Sequence, residues 1–207
     1  MSCGVPQGSI LGPLFFLLYI NDISNISNEL FMLLYADDTN VFFTGDTIQN
    51  MCSRVNDELE KIVSWLNANR LSLNVKKSHF MIFTTRHTEY NYNIILNMEK
   101  LDKVDTTKFL GIQIDSKLSW QNHILYVKGK VAKGVGILSK ARKVVKKNTL
   151  LNLYYSFIYP HLSYCIEIWG NARNQYLECL FKMQKKMCST DYQLWLESTY
   201  PTSFSPT

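Results

Sequence analysis

Cysteine is scarce in this chain of 207 residues, which has five cysteines, an odd number. They are scattered and include no Cys-x-x-Cys pair, so neither a disulfide framework nor a zinc site is indicated. Long hydrophobic runs are absent as well, since the longest, Leu14 to Ile20, is far shorter than the roughly 20 residues that span a bilayer. No charged segment followed by a small-residue cleavage site opens the chain. We therefore predict an intracellular protein of the cytoplasm or nucleus, not secreted and without a membrane partner.

Acidic residues are missing over about fifty residues, from the position after Asp115 to the position before Glu167. Outside this segment the chain is net negative, with 13 basic against 17 acidic residues. A run of like charge is usually a solvated helix face, but one sign over this length favours contact with nucleic-acid phosphates. The predicted backbone contacts are Lys128, Lys130, Lys133, Lys140, Arg142, Lys143, Lys146 and Lys147, and Lys117 is the ninth basic residue of the segment.

Glycine is also sparse, and three of the nine glycines lie within the first twelve residues. They belong to the loop Gly4 to Pro13, where glycines allow close approach of another backbone, so the loop can lie against a nucleotide or a template strand. Gln7 can donate and accept hydrogen bonds there, and Ser9 is a plausible N-cap for a helix over residues 10 to 21. The simpler alternative is a glycine and proline loop that only starts a buried helix.

Asp37 and Asp38 stand together at a bend between two apolar, strand-like runs, Leu30 to Leu34 and Val41 to Phe43. Aspartate is depleted in strands, and an unpaired buried charge is costly unless a cation compensates it. Carboxylate oxygens suit Mg²⁺, which keeps water and substrate phosphates in its remaining coordination positions. An ordinary hairpin tip, where aspartate bonds its own backbone, is the alternative.

Hydrophobic periodicity predicts an α+β fold. A helix is expected from Ile48 to Leu66, where apolar residues recur every three or four positions, and strands are expected over residues 80 to 83, 92 to 96 and 109 to 115. With the hairpin that carries the two aspartates, these strands predict an antiparallel sheet with helices on one face, one of them the helix over residues 10 to 21. From Trp120 onward the pattern is helical, and residues 189 to 207 are expected to be a disordered tail.

Five blocks of sequence follow one another in a recognisable order. They are Gly4-Val5-Pro6-Gln7-Gly8-Ser9 with the run that follows it, Tyr35-Ala36-Asp37-Asp38, Asn74 to Phe83, Lys108-Phe109-Leu110-Gly111-Ile112, and Ser119 to Trp169-Gly170. Together these blocks resemble the reverse transcriptase domain of non-LTR retrotransposons, particularly jockey-like elements. The resemblance covers about residues 2 to 188.

The resemblance implies RNA-directed DNA polymerase activity with RNA template, DNA primer and deoxynucleoside triphosphates as partners, and two Mg²⁺ or Mn²⁺ ions as cofactors. It implies that Asp37 is a direct metal ligand, Asp38 its supporting carboxylate and Lys77 the residue near pyrophosphate, with Lys76 almost as good a candidate. It implies that the residues that bind template and nucleotide are Gly4, Pro6, Gln7, Gly8 and Ser9. It implies that the primer grip consists of Phe109, Leu110 and Gly111.

The implied architecture is a polymerase palm fragment over residues 1 to 118, a helical thumb and connection over 119 to 188, and the tail. In the family, the fingers and a strand with another metal-binding aspartate precede the Gly4 block, so the resemblance implies an N-terminally truncated polymerase that is inactive alone. The alternatives are a non-catalytic nucleic-acid-binding relic or domesticated fragment that uses the basic thumb, and a truncated gene product with no stable fold.

Overall fold

A computed structural model describes residues 8–45, 47–84 and 93–188 and contains both helices and strands, which is compatible with the predicted α+β class. The described residues divide into two compact units. Residues 8–82 and 93–104 lie in the first, and residues 83–84 and 105–188 in the second. The hairpin predicted as the primer grip therefore belongs to the second compact unit, together with the helices that follow it. None of the described helices is both long enough and apolar enough to cross a membrane.

The first unit has two helices and six strands among its described residues. In chain order they are α1 (Gly12–Ile20), β1 (Phe31–Tyr35), β2 (Asp38–Phe42), α2 (Ile48–Ala68), β3 (His79–Phe80), β4 (Ile95–Leu96), β5 (Glu99–Lys100) and β6 (Asp102–Lys103), with 3₁₀ turns at Asn21–Ile26 and Val75–Lys77.

Helix α2 forms the core of the first unit with the hairpin β1–β2. Its predicted apolar stripe is confirmed at Leu59 and Ile62, which are buried against Leu30, Leu96 and other apolar residues. Asn56 extends this contact by hydrogen bonding. Its amide Nδ2 donates to the carbonyl of Asn93 at 2.9 Å, and its Oδ1 accepts from the Ile95 N–H at 2.9 Å, so the side chain holds the backbone at β4.

The predicted single antiparallel sheet is wrong for the described residues. They form four separate two-stranded pairs, of which β1–β2, β4–β5 and β7–β8 (Thr106–Phe109 and Ile112–Asp115) are antiparallel and β3–β6 is parallel. The strand predicted over residues 80 to 83 ends after Phe80. The hairpins were predictable because a tight turn fixes a local pair, whereas joining pairs into one sheet requires long-range contacts that periodicity does not specify.

Helix α1 was predicted to be packed under a sheet, and this is wrong because only Ile20 is buried in it. Leu18 is 67% exposed and Phe15 is 50% exposed. The helix is apolar around its whole circumference, so a contact on one side leaves the others in solvent. Its C-terminal end is tied to α2 by a hydrogen bond from the Tyr19 hydroxyl to the carbonyl of Asn69.

The second unit contains the hairpin β7–β8 and five helices among its described residues. The helices are α3 (Gln121–Ala141), α4 (Lys147–Phe157), α5 (Tyr159–Ser163), α6 (Ile166–Trp169) and α7 (Asn174–Cys188). The predicted stripe of α3 is confirmed, since Ile124, Val127, Val131 and Leu138 are buried with Ile158 and Trp169. The tail predicted from residue 189 lies outside the described residues.

Gly134 explains how closely α3 and α4 pack. A Cβ placed on Gly134 would lie 2.6 Å from Cγ1 of Ile158 and 3.2 Å from the carbonyl oxygen of Phe157. A Cβ on Gly129 or Gly136 of the same helix would meet no atom within 4 Å. One glycine of α3 is therefore required for helix packing, while the other two lie on its open side.

Candidate functional site

The acidic pair lies at the tip of the hairpin β1–β2. Ala36 and Asp37 form the two-residue turn, and Tyr35 pairs with Asp38 across it. Ala36 adopts φ +51°, the left-handed conformation that two-residue hairpin turns demand at their first position. Both aspartates are exposed, so the tip presents two adjacent carboxylates to solvent.

The two faces of this hairpin differ in burial. Met32 and Val41 are opposite one another and pack on the core of the first unit. On the other face the opposite pair Phe31 and Phe42 brings two exposed rings to a centroid distance of 5.9 Å. Tyr35 is 61% exposed on that face too. The inner face therefore anchors the hairpin, while the outer face and the tip stay accessible.

The carboxylate oxygens at this tip are of the type that binds a divalent cation, but two side chains alone do not complete its coordination. Carboxylate oxygens are the preferred ligands of Mg²⁺ and Mn²⁺. No group of three or more His, Cys, Asp or Glu side chains that could hold a metal occurs among the described residues. Asp37 and Asp38 thus supply two protein carboxylates, and any further ligand would come from water, substrate or residues outside the described ranges.

The other site residues predicted in the first unit lie on exposed turns. Lys77 ends the 3₁₀ turn Val75–Lys77, where its N–H donates to the carbonyl of Asn74 at 3.1 Å. Both Lys76 and Lys77 are exposed, and neither is favoured by burial.

Of the predicted nucleotide and template loop, only the end is described. Gly8 is exposed with φ +88°, and Ser9 is half-buried. Gly4, Pro6 and Gln7 lie outside the described residues. Ser9 was predicted to be the N-cap of α1, and this is wrong. The N-cap position is Leu11, which makes no capping side-chain hydrogen bond.

The predicted primer grip is the tip of β7–β8. Leu110 and Gly111 form its two-residue turn with φ +43° and +90°. Two successive left-handed residues match the right-handed twist of a hairpin, and Gly111 adopts this conformation without a Cβ penalty. The Tyr164 hydroxyl donates to the carbonyl oxygen of Leu110 at 2.7 Å, so the turn is held by a residue far along the chain.

Strand β8 is fixed at two further points that the sequence did not reveal. The Gln113 N–H donates to Nδ1 of His123 at 3.2 Å, which leaves the proton of the neutral ring on Nε2. His123 is 2% exposed, its ring lies 5.4 Å from the ring of Trp169, and desolvation by burial lowers its pKa below the usual value.

Asp115 is the second of these points. Its Oδ1 accepts from the N–H groups of Lys117 and Ser119 at 3.1 and 3.0 Å, and its Oδ2 accepts from the Ser119 hydroxyl and the Trp120 N–H at 3.2 and 3.0 Å. This buried carboxylate closes the loop between β8 and α3. The signal that could have revealed it is the spacing of Asp115 from Ser119, the residue before a tryptophan that precedes a helix.

The basic residues of the second unit follow α3 and the link to α4. Lys130 is half-buried, with its Nζ 5.5 Å from the centre of the Tyr126 ring. No ion pair of these lysines and arginine occurs among the described residues, where the pairs are Arg54–Glu29, Lys61–Glu58 and Lys182–Glu178. The exposed ones are Lys128, Lys133, Lys140, Arg142, Lys143, Lys146 and Lys147.

Comparison with known proteins identifies similar chains in mobile elements. Over 195 residues the chain is 25% identical to a probable RNA-directed DNA polymerase from transposon X-element of Drosophila melanogaster, covering 90% of this chain and 21% of that protein. It is 26% identical over 197 residues to the RNA-directed DNA polymerase from mobile element jockey of the same fly, with the same two coverages.

A third relative is a retrovirus-related Pol polyprotein from the type-1 retrotransposable element R1 2 of Nasonia vitripennis, 26% identical over 179 residues that cover 80% of this chain and 43% of that protein. The chain therefore spans about a fifth of the length of the two fly relatives. No solved structure matches it significantly.

The sequence profile of the family described as reverse transcriptase (RNA-dependent DNA polymerase) matches residues 1–114, more than half of the chain. The matched region contains both the acidic hairpin β1–β2 and the predicted primer grip. With the jockey and X-element relatives, this match confirms the predicted resemblance to jockey-like elements. The chain belongs to the reverse transcriptase (RNA-dependent DNA polymerase) family.

Proposed function

We propose that this chain is part of an RNA-directed DNA polymerase of a non-LTR mobile element, with residues 1 to 118 contributing to the polymerase palm and residues 119 to 188 to its helical thumb and connection. The observation that carries the proposal is the exposed pair Asp37 and Asp38 at a two-residue turn, within the region that matches the reverse transcriptase family. Its substrates would be an RNA template, a DNA primer and deoxynucleoside triphosphates.

Reverse transcriptases generally use divalent metal ions. In this chain Asp37 would bind such an ion directly and Asp38 would support it, and a bound pair of ions would supply charge neutralisation for phosphoryl transfer. Lys77, an exposed cation on the same unit, would stabilise negative charge on pyrophosphate. Gly8 and Ser9, with the loop before them, would lie against nucleotide and template.

Metal binding at the acidic tip is testable without activity. We expect Mn²⁺ to broaden the NMR signals of residues around 35 to 39 selectively, because a paramagnetic ion at the two carboxylates relaxes nearby nuclei. Asp37→Ala should abolish the effect. Asp105→Ala is a matched control, since Asp105 is another exposed aspartate next to a hairpin. Equal broadening in wild type and Asp37→Ala would rule out the site.

Activity gives a second test. No third metal-ligating side chain joins the two carboxylates among the described residues, so they should bind Mg²⁺ weakly, and phosphoryl transfer depends on a metal-positioned triphosphate. We expect this 207-residue chain alone to give no primer extension on a homopolymer RNA template with Mg²⁺ or Mn²⁺. Robust synthesis that Asp37→Ala abolishes would contradict this expectation while supporting the polymerase assignment.

A second candidate function, nucleic-acid binding without catalysis, is favoured by the unpaired basic residues of α3 and the α3–α4 link. Seven of them are exposed, and no acidic residue is interspersed in the sequence. Such a cluster would bind phosphates of any sequence and release condensed counterions, which makes the affinity strongly salt-dependent. In the polymerase, the same residues would hold the template and primer backbone.

Salt dependence separates this binding from the metal site. We expect log K for an RNA–DNA duplex to fall linearly with log salt, and the combined change Lys140→Gln, Lys143→Gln and Lys147→Gln to reduce the slope by up to about 3. Asp37→Ala and chelation of metal should leave the binding unchanged if it depends on the basic residues alone. A slope that survives the triple change would place the phosphate contacts elsewhere.

A further inference from the structure

The tip of β7–β8 has a conformation that its own sequence does not favour. Leu110 adopts φ +43°, and a left-handed conformation is unfavourable for a residue with a Cβ. Hairpin tips on protein surfaces are usually the most mobile part of the hairpin. A contact from another element would hold such a tip in this conformation.

Tyr164 supplies that contact in two ways. Its hydroxyl donates to the carbonyl oxygen of Leu110 at 2.7 Å, across 54 positions of sequence. Its ring lies over the next residue of the turn, since a Cβ placed on Gly111 would be 3.3 Å from the ring atom Cε1. One side chain thus contacts both residues of the turn.

The position of Tyr164 is fixed by the core of the second unit. The indole Nε1 of Trp169 donates to the carbonyl oxygen of Tyr164 at 2.9 Å, and Trp169 is only 1% exposed. A rigid core residue therefore holds Tyr164, and Tyr164 holds the turn. Side chains whose own supports are fixed are those that can impose a geometry on a binding site.

The contact is not explained by the needs of the core. Tyr164 is 50% exposed and Leu110 is exposed as well, so the hydrogen bond between them buries little apolar surface. Strand β8 is already attached by the contacts of His123 and Asp115. What Tyr164 adds is a fixed shape at the solvent-facing tip.

We infer that Tyr164 is a positioning residue for the primer end, because it holds the turn Leu110-Gly111 in the shape that contacts the recessed 3′ end of a primer. This inference rests on the proposed function and on the primer-grip role that the family resemblance implies for that turn. The ligand it implies is a nucleic-acid duplex with a recessed 3′ end, and the blunt duplex is the comparison.

The test uses the full chain and the variant Tyr164→Phe, which keeps the ring over Gly111 and removes only the hydroxyl. Tyr155→Phe is the matched control, since Tyr155 is a tyrosine of the same unit in ring contact with Tyr154 and Tyr159. Hydrogen exchange of residues 109 to 112 reports on the turn. Fluorescence anisotropy with labelled recessed and blunt RNA–DNA duplexes reports on primer-end recognition.

We expect wild type to prefer the recessed duplex, and Tyr164→Phe to reduce that preference about 3- to 10-fold, the equivalent of one net hydrogen bond, with unchanged affinity for the blunt duplex. Exchange at the turn should rise by a similar factor, and Tyr155→Phe should match wild type in both measurements. A purely structural role would accelerate exchange without changing the ratio of affinities.

Three results would overturn the inference. Unchanged exchange in Tyr164→Phe would mean that the hydroxyl does not hold the turn. Faster exchange with an unchanged preference would mean that the held turn does not contact the primer end. A wild type without preference for the recessed duplex would remove the proposed primer grip itself, a failure visible before any variant is compared.

Discussion

The two hairpins that carry the candidate function are alike in construction and differ in how they are held. Both have a two-residue turn with a left-handed first residue, Ala36 in one and Leu110 in the other. The acidic hairpin β1–β2 is anchored through its inner face, and its tip is exposed. The hairpin β7–β8 is held by hydrogen bonds at its tip, along β8 and at its end. The hairpin with more hydrogen bonds to other elements is therefore the one for which we propose contact with the primer.

The largest difference between the hairpins is expected at their aspartates. Asp115→Ala should lower the free energy of unfolding by about 2–4 kcal/mol, because the buried carboxylate accepts four hydrogen bonds and its loss leaves donors unsatisfied. Asp38→Ala, at the exposed tip of the other hairpin, should stay within about 0.5 kcal/mol of wild type. Urea denaturation followed by circular dichroism measures both. Equal losses of unfolding free energy in the two variants would mean that the two hairpins do not differ in how their aspartates are held.

The helical framework behind β7–β8 provides a smaller effect. Gly134→Ala should destabilise the protein by about 1–2 kcal/mol, since the added methyl group collides with Ile158 at the α3–α4 contact. Gly136→Ala, on the open side of the same helix, should stabilise it by up to about 1 kcal/mol through helix propensity alone. Thermal unfolding of the pair gives the sign directly. Stabilisation by both alanines would mean that α4 does not pack closely on α3.

A fall in pH should destabilise the hairpin β7–β8 more than the hairpin β1–β2. Burial lowers the pKa of His123, so the folded state binds this proton less readily than the unfolded state. The neutral His123 ring therefore makes its full contribution to the free energy of unfolding above the unfolded pKa of about 6.5. This contribution is lost as the pH falls below that value, by at most about 1.4 kcal/mol per pH unit. Unfolding measured between pH 7.5 and 5 should reveal this slope.

His123→Gln is the variant that isolates this effect. It removes the titrating ring and should flatten the slope, while His161→Gln, which changes a half-buried histidine of α5, should retain it. The protection of the Gln113 amide against hydrogen exchange, measured relative to the intrinsic rate at each pH, should fall in the wild type as the pH is lowered, because a protonated Nδ1 no longer accepts its N–H. An identical slope in His123→Gln would assign the acid sensitivity to other groups.

Much of the secondary structure followed from the sequence, and the contacts between elements did not. Periodicity located α2, α3 and the hairpin β1–β2, because local turn chemistry and a single apolar stripe determine them. Helix α1 could not be placed this way, since its apolar residues mark no preferred face. The hydrogen bond from Tyr164 to Leu110 spans 54 positions and leaves no local pattern.

The candidate site, like the fold, was predicted in its local parts and not in its long-range contacts. The acidic turn, the Leu110-Gly111 turn and the basic segment were found from residue type and resemblance, and their roles stay predictions. Asp115 and His123 were missed because a single buried polar residue in a sequence looks like any exposed one until its partners are known.

The apolar surface of α1, which extends around the whole helix, affects the solubility of the protein. Half-exposed leucine and aromatic side chains on a single helix make an apolar surface that favours association, and salt at physiological ionic strength screens the repulsion that the net charge of +5 would oppose to it. Solubility of the isolated chain should accordingly respond more to Leu18→Gln or Phe15→Gln, which interrupt this surface, than to any change of charge on α3.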